Sequence, residues 1–132
     1  EFPLRLVGSE MCIRDSYIAC FGGVNYSLFI NTITDLYHLG KDTSLTDEQR
    51  KQKNYDYMSH YMTQPIAYYK FNQECYLFDT HTKQWSVLNI QPDFARAGAT
   101  LVGTPNEFYL IQGELKPGVR SPKTYKLKIL SN

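Results

Sequence analysis

The sequence predicts an all-β fold of short antiparallel strands, interrupted by one helical insertion. Three observations lead there. Tyrosine and phenylalanine are abundant, at 11 and 7 of 132 residues, and aromatic side chains suit the half-buried surface of a sheet. From Tyr17 onward, short apolar runs alternate with turn residues, as in an antiparallel array. Two of these runs, "YIACFGG" and "EFYLIQGE", share one form, an apolar strand closed by glycine. Glycine at such an end allows positive φ and close backbone approach.

The elements follow in order. The opening "EFPLRLVGSEMCIRDS" has neither a strand nor a helix period, and it is a poor signal peptide. Residues 1–16 read as translated vector or adaptor sequence, a non-native leader expected to make few contacts. Residues 17–132 carry the fold. A strand is expected over 17–23, followed by an insertion over about 24–65. Within it, Phe29, Ile33, Leu36 and Tyr37 share one helical face, which predicts a helix over 29–39 with Gly40 as its stop. Thr46 with Gln49 three residues later is a capping-box pattern, and Asp47 and Glu48 suit the first turn, so a second helix is expected over 47–62. Pro65 ends it. "AYYKF" and "ECYLFDT" read as strand material. Further strands are expected over 74–79, 84–88, 99–103, 107–112 and 123–129, with "THTK" and Pro105-Asn106 as turns.

Composition narrows the function. Lys and Arg total 14 and Asp and Glu total 13, a net charge of +1, which gives no support for nucleic-acid binding. No apolar run approaches the roughly 20 residues of a membrane-spanning helix. Cys12, Cys20 and Cys75 lack zinc spacing and read as small hydrophobes, with one disulfide and a spare thiol as the alternative. His38, His60 and His81 have no metal spacing and read as helix-face or turn residues. No metal or cofactor is implied.

A repeated strand unit ending in glycine, with a tryptophan downstream (Trp85), resembles the kelch motif of β-propellers. The two glycine units lie further apart than the about 50 residues of a kelch repeat, and the helical insertion supplies the excess. "FGGVNYSLFINTITDLYHLGKD", "YLFDTHTKQWSVL" and "YLIQGELKPGVRSPKTYKL" together resemble successive parts of the bacterial N-acetylneuraminate epimerase family, the kelch-type sialic acid mutarotases. The resemblance covers Tyr17 to Leu130, and the string from Gly113 to Arg120 is its most specific part. Gln112 stands where the family often has Asn, and Ser121-Pro122 replace Thr-Asp. The resemblance implies a six-bladed propeller, of which this chain holds about two blades, and a periplasmic location.

It also implies an activity, interconversion of the α and β anomers of N-acetylneuraminate, a small-molecule substrate. In that reaction a carboxylate takes the proton of the anomeric hydroxyl and returns it. A fixed cation beside the substrate carboxylate is best supplied by arginine. The resemblance gives these roles to Glu114 and Arg120, which the Pro117-Gly118 turn can bring to one cleft. Without it, a Glu–Arg pair flanking a turn is more often a surface ion pair, worth under about 1 kcal/mol. Asn25 and Tyr26, after the first glycine pair, are candidates to line the same site, or Asn25 satisfies its own turn. Arg96 faces a channel or serves structure, Trp85 packs between blades, and Lys116 is solvated. Two alternatives stay open: a non-catalytic kelch propeller binding a sugar acid or a partner protein, and an inactive truncated fragment.

Overall fold

The computed structural model describes residues 9–13, 16–104 and 107–128. Two antiparallel sheets form the body. The first has the order β1-β2-β3-β4, from Ser9–Ile13, Tyr17–Phe21, Glu74–Asp79 and Gln84–Ile90. The second joins β5 (Thr100–Thr104), β6 (Glu107–Ile111) and β9 (Thr124–Lys128) in that order. Each sheet carries an insertion after its second strand. In the first it is the helix pair α1 (Tyr26–Lys41) and α2 (Asp47–Thr63). In the second it is a small hairpin of β7 (Glu114–Lys116) and β8 (Val119–Arg120).

The sheets pack through an apolar core built from both. Ala19 and Phe21 of β2, Cys75 of β3, and Phe108 and Leu110 of β6 are buried, with Phe94 from the connection between the sheets. Phe21 meets Phe94 edge-on at 5.0 Å between ring centres and lies 6.2 Å from Phe108, in the range where aromatic pairs add to simple burial. Alternation explains this selection. Phe108 and Leu110 face inward while Tyr109 between them is exposed, the period-2 pattern of a sheet with one covered face.

Both helices start on side-chain caps. Asn25 Oδ1 accepts the Leu28 amide at 3.0 Å. Thr46 and Gln49 form the reciprocal capping box expected of them, at 3.2 and 2.9 Å. Three expectations need correction. The first helix does not stop at Gly40: it runs to Lys41 and is capped by Asp42 in extended geometry. "AYYKF" is not a strand. Ile66–Tyr69 forms a 3₁₀ turn closed by Lys70 at φ 48°, because Pro65 starts such a turn and Tyr69 is drawn into the interior at 1% exposure. Lastly, the few contacts expected of residues 1–16 do not hold for β1, which pairs with all of β2 from Ser9↔Phe21 to Ile13↔Tyr17. Main-chain groups on the edge of β2 pair with any extended segment, whatever its side-chain pattern. Leu4 and Leu6 lie outside the described residues.

Candidate active site

The two glycine-terminated strands end alike, each in a pair of left-handed residues. After β2, Gly22 and Gly23 take φ of 67° and 108°; after β6, Gln112 and Gly113 take 54° and 94°. The left-handed pair of the second unit is thus Gln112-Gly113. Glu114 stands opposite Val24 in this comparison, not opposite Gly23. The glutamate begins a new strand instead of occupying a strained turn position.

The segment between the sheets holds both strand ends. Gly23 N–H donates to Arg96 O at 2.8 Å, while Ala97 and Glu114 exchange amide-to-carbonyl bonds of 2.9 and 2.8 Å. The Arg96 guanidinium, 3% exposed, donates to Gln112 O at 2.7 Å and Asp93 O at 2.8 Å. It also lies over the Tyr125 ring at 4.8 Å. A buried arginine is tolerable when its donors and face are occupied in this way. Of the two readings open to Arg96, the structural one holds.

Glu114 and Arg120 face each other as a register pair of the β7–β8 hairpin, with Pro117-Gly118 making the reversal. The hairpin base is closed by Ser121 N–H donating to Gly113 O at 2.8 Å, and Ser121 itself is buried. Glu114 is half-buried and Arg120 exposed. The ion pairs found among the described residues are Arg50–Asp47 and Lys126–Glu107; Glu114 and Arg120 are adjacent without forming one. The surface-ion-pair reading of these two residues is therefore not realised.

Glu114 lies on the wall of a cleft of about 300 Å³ between the hairpin and the helical insertion. Its apolar lining includes Phe29, Ile33 and Leu36 of α1 and Met58, Tyr61 and Met62 of α2, with Tyr69 and Phe71. Tyr37, expected on the same helical face, is turned away and 61% exposed. Tyr69 donates its hydroxyl proton to Tyr61 O and meets the Tyr61 ring edge-on at 5.3 Å. Burial holds the Tyr69 hydroxyl above the usual tyrosine range. These aromatics went unread in the sequence, because a tyrosine on a helix or in a turn looks the same whichever way it faces.

The other candidates divide. Asn25 lines the same cleft, but its side-chain oxygen is engaged as the α1 cap, so it does satisfy its own turn. Tyr26 is the first residue of α1 and exposed. Trp85 lies tilted against Phe78 of the neighbouring strand, 4.9 Å between ring centres. Lys116 is not simply solvated: its ammonium donates to Gln64 O at 2.8 Å and Met62 O at 3.3 Å. Cys20 and Cys75 are buried thiols of the first sheet. Among the described residues, no three His, Cys, Asp or Glu side chains cluster as metal ligands.

A family model described as N-acetylneuraminate epimerase matches residues 1–132. The N-acetylneuraminate epimerase of Escherichia coli O157:H7 is 30% identical over 130 residues, covering 98% of this chain and 33% of that protein. That of Shigella sonnei (strain Ss046) is similar to the same extent, 30% over 130 residues. Among solved structures, the "Structure of YjhT" superposes with a TM-score of 0.80 at 28% identity, over 96% of this chain and 34% of that one. The chain thus spans about a third of the length of the relatives it matches. Two blades are a third of six, in accord with the two sheets and their matching insertions. The chain belongs to the N-acetylneuraminate epimerase family and forms part of its kelch-type β-propeller.

Proposed function

We propose that this stretch supplies the acid/base group and the carboxylate-binding cation of an enzyme that interconverts the anomers of N-acetylneuraminate. The supporting observation is the Glu114–Arg120 register pair on one small hairpin, with Glu114 on the cleft wall and in no ion pair among the described residues. Glu114 accepts the proton of the anomeric hydroxyl. The carbonyl forms as the ring carbon–oxygen bond breaks, and the ring oxygen takes up the proton that Glu114 holds. Rotation and re-closure on the other face reverse these transfers. One carboxyl group serves both directions because it returns the proton that it took. Arg120, exposed and permanently charged, holds the substrate carboxylate through two parallel N–H donors. No cofactor enters the scheme, since no electron or group leaves the sugar.

The test uses a full-length propeller containing these residues, with anomer exchange followed by NMR. Glu114→Gln keeps shape and hydrogen bonding but removes the base, so exchange falls by roughly 10²–10⁴ while substrate still binds. Arg120→Lys keeps the charge but loses the fork, so it mainly weakens binding. Parental exchange rates in Glu114→Gln would place the base elsewhere and leave this stretch a binding surface.

A further inference from the structure

We infer that Lys116 is a positioning residue that fastens the Glu114–Arg120 hairpin to the C-terminal end of α2, so that the helical insertion sets the placement of the site; its catalytic consequence rests on the function proposed above. Lys116 is the last residue of β7, two after Glu114. Its Nζ reaches across to the carbonyl oxygens of Gln64, at 2.8 Å, and Met62, at 3.3 Å. Gln64 is the cap residue of α2, and its own amide bonds to Tyr61 O. The last carbonyls of a helix have no partner within it and carry the negative end of its dipole. A lysine ammonium is a suitable partner, with three donors and a full positive charge.

Two further contacts point the same way. The Pro117-Gly118 turn approaches Met62 so closely that a Cβ on Gly118 would lie 3.3 Å from Met62 Cε. Pro117 and Glu114 also share the cleft wall with Met58, Tyr61 and Met62. The hairpin is otherwise anchored at its base, by Ala97 on Glu114 and by Gly113 on Ser121. Its tip is secured on the α2 side through Lys116. Two strands of three and two residues are too short to hold a tip rigid by their own pairing.

The experiment compares Lys116→Met and Lys116→Arg in the full-length propeller. Methionine keeps the aliphatic stem and removes the donors, whereas arginine restores donors and charge. Hydrogen exchange without substrate is the first readout. In Lys116→Met, the amides of residue 116 and of Gly118 to Arg120 exchange about tenfold faster, with core amides of β2, β3 and β6 unchanged. Anomer exchange is the second. At an unchanged melting temperature, kcat falls about tenfold in Lys116→Met and returns in Lys116→Arg. Unaltered hairpin exchange in Lys116→Met would overturn the tie. Faster hairpin exchange with parental kcat would overturn the positioning role. Should Glu114→Gln keep parental activity while Lys116→Met loosens the hairpin, the tie stands and the assignment of the base fails instead.

Discussion

Gly22 is the residue at which the backbone leaves no room. Its φ is 67°, and a Cβ there would lie 2.3 Å from Arg96 O and 2.8 Å from Phe94 O, both main-chain atoms that cannot swing aside. Gly22→Ala combines a left-handed penalty with a collision, and is expected to cost about 2–5 kcal/mol, measured by urea unfolding of the full-length protein. Gln112 holds the matching position in the second blade at φ 54°. Its carbonyl is taken by Arg96, which supports a non-glycine residue in a conformation that residues with a Cβ rarely adopt. The glycine at each strand end was legible from sequence; that the second left-handed pair is Gln112-Gly113 was not. Backbone angles follow from hydrogen bonds to residues 96 and 97, which no pattern of one-letter codes displays.

Of the two helices, α2 has the less to hold it. None of its residues is buried, so it leans on end caps, on Arg50 donating to Asp42 O and Leu45 O at 2.7 and 2.9 Å, and on Tyr57 donating to Asp35 of α1 at 2.8 Å. Thr46→Ala removes one half of the capping box and should cost about 1 kcal/mol. The loss appears as local opening: amide exchange in the first turn of α2 is expected to rise about fivefold with little change in global unfolding. Equal protection in the variant would show that packing on α1 alone keeps the helix formed. The first helix was readable from its apolar periodicity and the second from its capping box, which are local signals. The β7–β8 hairpin was not, because two strands so short carry no periodicity to read.

At the scale of the whole molecule, the shared core between the two sheets ties stability to pH. Cys75, 2% exposed in that core, has its thiol pushed up from 9.0 to about 12, chiefly by burial and then by the neighbouring Cys20. Below pH 9 the thiol is neutral in folded and unfolded chains alike, and the stability is fully present. As pH rises from about 9 toward 12, the unfolded chain gives up the proton while the folded one keeps it. Stability then declines by about 1.4 kcal/mol per pH unit. Tyr76, raised from 10.0 to about 12 mainly by its bond to Glu74, adds a share that starts nearer pH 10. Urea midpoints taken from pH 7 to 11 are expected to stay level and then fall. In Cys75→Ala the fall should begin about one unit later, and an unchanged profile would contradict the assignment. The exposed apolar side chains Val87 and Leu88 on β4 and Val102 on β5 suit faces that adjoining blades cover, as expected of a third of a ring.

Local chemistry in the sequence determined strands β2 to β6 and β9, both helices, the Thr46 cap of α2, the glycine at each strand end, and the Glu114 and Arg120 pair on either side of a Pro-Gly turn. Each depends on neighbours within a few residues, so the one-dimensional order already contains it. Tertiary structure decided what lies far apart in the chain. It set Arg96 between the two strand ends, brought the helical insertion against Glu114, and turned Lys116 from solvent to the end of α2, 52 residues away along the chain. Those placements follow from burial of the shared core and from main-chain groups that must find partners once water is excluded. Only the folded chain satisfies both at once.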